Sequence, residues 1–334
     1  MAYKTSISKS DAELLGVVEL NADRPSSEVA KQLRRRDYSV QHALRRLKER
    51  KIIQMKPFVD ISLLGTIDVG VYFSLGITRQ RELSRFLKQV VDCPKVTFVQ
   101  SMAGDFHFLA ALHATNLNEV HAFLRSLSEW SQGAISSKEV SPRVGYRQYR
   151  RKYLTGVRTD EPCFVALESP SQIDLSSAEL QLLTYLANGP FDSIRHAART
   201  LGEPYSTIDR RYQQLIDKGV IRGWFYDIDE HALGIHRFKL LVTCRRLTTE
   251  FETRLENYSR RHRHITNLLQ TLGTWDFEIG VECVHSADVM SMIAGLYEEF
   301  PQDISSIRSL TELETYKFNM FPEASNAKGT RNNT

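Results

Sequence analysis

MAGDFHFLAAL (102–112) and LGTWDFEIGVE (272–282) decide the fold. Each runs through a short polar turn containing glycine into an apolar, strand-like stretch, the pattern of a β-hairpin. The same markers recur around both in the same order. SDAELLGVVEL (10–20) is matched by SSAELQLLTYL (176–186), and VAKQL (29–33) by AARTL (197–201). YSVQHALRRLKERKII (38–53) is matched by YSTIDRRYQQLIDKGVI (205–221), and DISLLG (60–65) by DEHALG (229–234). The spacing holds: 234 − 65 = 169 for Gly65 and Gly234, and 273 − 104 = 169 for Gly104 and Gly273. Such order predicts two homologous halves.

The first part of each half reads as three short helices. Leu14, Leu15 and Val18 give the first an apolar face, Val29, Ala30 and Leu33 the second, and Val40, Ala43, Leu44 and Leu47 the third. Ser39 caps the third helix. The second half repeats the pattern with Leu180, Leu183 and Leu186, then Ala197, Ala198 and Leu201, then Ile208, Tyr212 and Leu215. Two helices around a short turn are the helix-turn-helix order. The second part of each half alternates strand and helix as βαββαβ, the ferredoxin-like arrangement. The strands are expected at 70–77, 96–104, 106–114 and 134–142, and again at 238–244, 265–273, 277–283 and 305–316. Small sheets of this kind need one face covered, which favours pairing of the two sheets.

The expected fold class is therefore α+β, two copies of a winged helix-turn-helix followed by a ferredoxin-like domain. The expected boundaries are 8–58 and 62–150 for the first copy and 174–228 and 232–320 for the second. Residues 151–173 read as a linker, because TDEPCFVALESPSQ (159–172) carries two prolines and little apolar periodicity. Residues 321–334 read as a disordered tail.

The chain has 334 residues, a net charge of +4 and 25% charged residues, so charge alone does not announce a nucleic-acid partner. Its distribution says more, with Arg34, Arg35, Arg36, Arg45, Arg46, Lys48, Arg50 and Lys51 crowded together. No apolar run is long enough to span a bilayer, and the polar start carries no secretory signal, so a cytoplasmic location is expected. The four cysteines, Cys93, Cys163, Cys244 and Cys283, show no metal spacing. No metal and no cofactor are expected. GYRQYRRK (145–152) reads as the solvated end of a strand.

With these parts laid out, the chain resembles the leucine-responsive/asparagine-synthesis regulator family (Lrp/AsnC) in duplicate. The resemblance rests on Ser206, Thr207, Ile208, Arg211, Tyr212 and Leu215 followed by Gly219-Val220-Ile221. A looser counterpart is Ser39, Val40, Leu44 and Leu47 followed by Ile52-Ile53, where Ala43 replaces the usual Arg. The family's sensor-domain turn is matched by Gly104-Asp105-Phe106-His107 and by Gly273-Thr274-Trp275-Asp276-Phe277. The resemblance implies a transcriptional regulator, not an enzyme, that binds double-stranded DNA and pairs as a homodimer or higher oligomer through its sensor sheets. It also implies a small effector such as an amino acid.

The expected DNA-contacting residues are Arg34, Arg35, Arg36, Tyr38, Ser39, Gln41, His42, Arg45 and Arg46 in the first copy. In the second they are Tyr205, Ser206, Thr207, Asp209, Arg210 and Gln213. Asp105, His107 and Asp276 are the effector-binding candidates. The alternative is a siroheme decarboxylase-like enzyme of the same architecture, which carries a His-Asn-Tyr-like segment entering the second strand. The matching segments are Pro94-Lys95-Val96-Thr97-Phe98, which has no His, and His264-Ile265-Thr266-Asn267-Leu268, whose spacing differs.

Overall fold

The computed structural model describes residues 7–323 except 77, 78, 156–163, 169–171, 190 and 192. The chain opens with α1 (Lys9–Val18), α2 (Ser26–Leu33) and α3 (Asp37–Glu49). Strand β1 (Ile53–Val59) follows, then β2 (Ile67–Leu75), α4 (Gln80–Asp92), β3 (Val96–Ala103), β4 (Phe108–Ala114), α5 (Leu117–Trp130) and β5 (Ile135–Gln148). After α6 (Lys152–Thr155) and β6 (Phe164–Ala166), nearly the same order recurs. Its elements are α7 (Ser177–Asn188), α8 (Ile194–Leu201), α9 (Tyr205–Asp217), β7 (Ile221–Ile228), the short α10 (Glu230–Leu233), β8 (His236–Cys244), α11 (Thr249–Arg261), β9 (Ile265–Thr271), β10 (Phe277–Cys283), α12 (Asp288–Glu299) and β11 (Ile304–Phe318). Gly65 and Gly234 end their turns at φ 65° and 62°, and Gly104 and Gly273 sit at 130° and 134°. Positions 169 residues apart thus share an unusual backbone shape that glycine adopts without a Cβ clash.

The architecture is α+β around one large antiparallel sheet. Its strand order is β2-β4-β3-β11-β8-β10-β9-β5, and β2 also pairs with β5, so eight strands close into a barrel. The expected pairing of the two sheets is made within one chain. It is made by edge hydrogen bonds, β3 to β11 and β5 to β9, as well as by facing surfaces. The outer faces are covered by helices. Val69, Val71 and Phe73 of β2 pack with Phe86 of α4 and Phe123 of α5, and the second half repeats this with Phe251 of α11 and Leu296 of α12. One end of the interior is plugged by Tyr72, Met102, Phe106, Leu109, Leu241, Trp275 and Leu310. Tyr72 meets Trp275 edge-on at 5.0 Å between ring centroids.

Strands β1 and β7 pair with each other as a separate antiparallel ribbon, in register from Ile53↔Ile228 to Phe58↔Gly223. They also exchange cores. Tyr226 and Ile228 of β7 bury against α1–α3, while Val59 of β1 and Ile61 beyond it bury against α7–α9.

The stretch expected as linker, 151–173, holds α6 and β6 among its described residues, and β6 pairs with β5. The stretch expected as a solvated strand end is not solvated. Arg150 donates to the Gly16 and Val17 carbonyls at the end of α1, at 2.8 and 2.6 Å. Arg151 bridges Glu19, which caps the carboxyl end of α1, and Glu282 of β10. Helix carbonyls and carboxylates supply the partners that water would otherwise supply. Of the expected tail, residues 324–334 lie outside the described residues, as does Cys163. Cys93, Cys244 and Cys283 are free thiols. Among the described residues, no helix is long and apolar enough to cross a membrane.

Candidate functional site

A cavity of about 430 Å³ lies between the open end of the barrel and the β1–β7 ribbon. That is within the roughly 300–1,000 Å³ typical of ligand pockets. An eight-stranded barrel has room for interior side chains or one small ligand. Strand alternation decides what faces it. Val69, Val71 and Phe73 go outward to the helices, so Asp68, Gly70 and Tyr72 go inward. His113 of β4 and Arg143 of β5 stand opposite Asp68 in register.

The lining carries seven cations (Lys51, Lys56, Arg143, Arg151, Arg237, Lys239 and Lys317) and six carboxylates (Asp68, Asp227, Asp229, Glu230, Glu282 and Glu312). Most of the cations are engaged. Arg143 donates to Asp68 Oδ2 at 3.0 Å and to the fully buried Glu278 at 3.2 Å. Lys56 Nζ reaches Asp227 at 2.7 Å and the Phe318 carbonyl at 2.7 Å. Lys239 meets Glu312 at 3.3 Å, and Arg237 meets Glu312 at 2.7 Å.

Burial pushes the Glu278 carboxyl up, but Arg143 and Lys239 outweigh it and hold it below its ordinary value. Burial also opposes the Arg143 charge, and Glu278 and Asp68 overcome that, so the guanidinium holds its proton more tightly than usual. Burial dominates at His113. Against the pull of Asp68, it lowers the imidazole to about 4, so the ring is neutral at pH 7. His113 Nε2 lies 3.8 Å from Asp68 Oδ1, too far for a hydrogen bond. Four buried atoms of the lining residues have no hydrogen-bond partner among the described residues: Asp68 Oδ1, His113 Nδ1, Arg143 Nε and Asn267 Oδ1. Unpartnered polar atoms are uncommon in folded interiors, and a group of them at a cavity marks a place for a ligand or ordered water.

None of the three effector candidates lines this cavity. Asp105 and His107 sit by the β3–β4 turn, where Arg308 reaches Asp105 at 3.4 Å and Leu75 N donates to His107 Nδ1 at 3.3 Å. Asp276 sits by the equivalent β9–β10 turn and accepts from Cys244 N at 2.7 Å. These turns carry the plugged end of the barrel, and the cavity opens at the other. The segments matched to the His-Asn-Tyr-like pattern do reach it, through Thr97 and Phe98 and through Thr266 and Asn267. His264 lies elsewhere, its ring stacked on Tyr153. The imidazole in the lining comes from β4 instead. His113 carried no motif in the sequence, and only its register opposite Asp68 reveals it.

The expected DNA-contacting residues lie on and before α3 and α9. Arg34, Arg36, Tyr38, Gln41, His42 and Arg45 are exposed, and Ser39 is half-buried. Arg35 is held by Glu13 and the Ser10 carbonyl, Arg46 by Asp11, and Gln41 by Ser26 and Asp37. Tyr205, Ser206, Arg210 and Gln213 are exposed, while Thr207 and Asp209 are half-buried. Arg195 lies over the Tyr205 ring at 5.7 Å.

Residues 70–134, from within β2 to just past α5, match the Lrp/AsnC ligand binding domain family. No curated protein matches the chain. Among solved structures, the siroheme decarboxylase NirDL is similar over 95% of this chain and 95% of its own, at 14% identity and a TM-score of 0.60. The same enzyme in complex with an iron-uroporphyrin III analogue gives 95% and 94%, at 14% identity and 0.59. An AsnC family transcriptional regulator from Agrobacterium tumefaciens matches 41% of this chain and 89% of its own, at 17% identity and a TM-score of 0.37. The expectation of a protein that is not an enzyme is corrected by the first two. The architecture that spans the chain from end to end is one that an enzyme uses.

Proposed function

We propose that the chain binds a carboxylate-bearing tetrapyrrole at the barrel mouth and removes one of its carboxyl groups as CO2, as a siroheme decarboxylase would. The observation that carries this reading is the cavity itself. Unpartnered, buried Asp68, His113, Arg143 and Asn267 atoms face a space of ligand size, in a fold shared end to end with NirDL. The proposed reaction needs no oxidant. The C–C bond to the carboxyl breaks, its electron pair stays on the substrate carbon, CO2 departs, and one proton replaces it. Arg143 is suited to orienting a carboxyl by its guanidinium. His113 is a candidate to pass the proton, since it is a neutral imidazole standing opposite the Asp68 carboxylate. Lys51, which has no side-chain partner among the described residues, is placed to meet a further carboxylate at the rim. In the same reading the halves arose by duplication, and α1–α3 and α7–α9 are two winged helix-turn-helix units.

Incubation with an iron tetrapyrrole carboxylate, followed by mass spectrometry, tests this. Loss of one CO2 that disappears in Arg143→Met supports it. A bound but unchanged tetrapyrrole limits the chain to binding, and no binding sinks the proposal.

A second reading is DNA contact through α3, favoured by one observation. Arg34, Arg36 and Arg45 are exposed and have no protein partner among the described residues, whereas Arg35 and Arg46 are held by carboxylates. Replacing the three free arginines by Ala should weaken binding on all sequences and flatten its salt dependence. An unchanged salt slope removes this reading.

A further inference from the structure

The two ends of the cavity occupy equivalent places in the barrel but carry different chemistry. Asp68, His113 and Arg143 in the first half correspond to Arg237, Glu282 and Glu312 in the second: 237 − 68 = 282 − 113 = 312 − 143 = 169. The register is the same. Asp68 stands opposite His113 and Arg143, and Arg237 stands opposite Glu282 and Glu312. The ion pair is kept with its charges exchanged, and the imidazole gives way to a carboxylate.

Hydrogen-bond accounting separates the ends. In the second half, Arg237 is shared between Glu230 and Glu312. Glu282 takes Arg151 through both oxygens, at 2.8 and 2.9 Å, and the Tyr153 hydroxyl at 2.6 Å. That end satisfies itself. In the first half, Asp68 Oδ1, His113 Nδ1 and Arg143 Nε are left over, although the His113 and Arg143 side chains are only 8% and 7% exposed and that of Asp68 only 12%. The remaining unpartnered atom of the lining, Asn267 Oδ1, lies on β9 and outside either triplet. Gly70 makes the first end possible, since a Cβ there would come within 3.0 Å of Arg143 Nη2. The equivalent place in the second half holds Lys239, because 239 − 70 = 169.

We infer that the cavity takes one ligand per chain, in one orientation, with a carboxyl group of the ligand docked at Asp68, His113 and Arg143. The inference rests on the reading of the cavity as a tetrapyrrole site. The leftover atoms also define the state of that group. Arg143 Nε needs an acceptor and Asp68 Oδ1 needs a donor. A protonated carboxyl supplies both, whereas a bare carboxylate would face the Asp68 charge. Binding is therefore linked to uptake of a proton shared with Asp68. The charged and titratable groups facing this end are Arg143, Glu278 and Lys239, together with Tyr72, His113 and Tyr146.

Calorimetric and absorbance titration of the full chain with iron uroporphyrin III between pH 6 and 8 tests this. The expected result is one ligand per chain and an affinity that falls as pH rises. His113→Asn should weaken binding about ten-fold or more, the loss of one hydrogen bond in a charged site. Asp105→Asn, at the plugged end and outside the lining, should not. Asp68→Asn should remove the pH slope, because an amide can donate to an ionised carboxylate. Thermal melts show which variants are folded, and Asp68→Asn carries the test if His113→Asn is not. Two ligands per chain, a folded His113→Asn that binds like the parent, or a pH slope retained in Asp68→Asn overturns the inference and leaves the tetrapyrrole reading standing. No binding by the unmodified chain overturns both.

Discussion

Arg143 holds two buried carboxylates, Asp68 and Glu278, and among the described residues no other cation is within 3.5 Å of either. Removing one member of a buried ionic group leaves uncompensated charge, which typically costs about 3–5 kcal/mol. Arg143→Met should lower stability by about that amount in urea denaturation, and Glu278→Gln in the Arg143→Met background should restore part of it. Two histidines set an acid limit. Burial lowers both His113 and His262 to about 4 from the ordinary 6.5. Between those values the unfolded chain binds protons that the folded chain refuses. Their contribution to stability is therefore complete above about pH 6.5 and is lost as pH falls towards 4. Melting temperatures measured across that range should fall with pH, and less so in the His113→Asn, His262→Asn double variant. None of this was legible at the residue level. A lone His in LAALHATN and a lone Arg in SPRVGY carry no spacing signal, and their chemistry comes from the strands beside them.

At the scale of elements, the sequence was informative because its signals are local. The glycine turns fixed both hairpins, and the helical and alternating periodicities placed strands and helices close to their observed ends. Strand β5 is an exception. It was expected to end at 142 and runs to Gln148, because β9, which pairs with its second part, lies far away in the chain. Gly104 shows how tightly the turns are specified. Its φ of 130° is disfavoured for other residues, and a Cβ there would lie 2.9 Å from Leu310 of the other half. Gly104→Ala should destabilise the chain by about 1–3 kcal/mol, read by chemical denaturation. A neutral result would mean that the turn can relax away from β11. Arg150→Met should loosen α1 from the barrel, since it removes a cation from the α1 carboxyl end. Faster amide exchange in α1 than in α7 would report it.

At the scale of the whole molecule, the closed barrel makes a prediction about assembly. Strands β3, β5, β9 and β11, through which two such sheets pair, find their partners inside one chain. If closure is intramolecular in solution, the thermal midpoint should not change with protein concentration. A midpoint that rises with concentration would show that pairing between chains contributes to folding. The crossed packing of β1 and β7 ties the helical units to each other as well, so the halves should unfold in one transition.

The sequence by itself determined the local elements, their repeated order and the glycine turns, because periodicity and backbone stereochemistry act over a few residues. Only the tertiary structure decided that the two sheets close on each other, that β1 and β7 exchange cores, and that Asp68, His113 and Arg143 meet at one end of a cavity. Those contacts join residues tens to hundreds of positions apart, and strand register, which no local pattern encodes, brings them together.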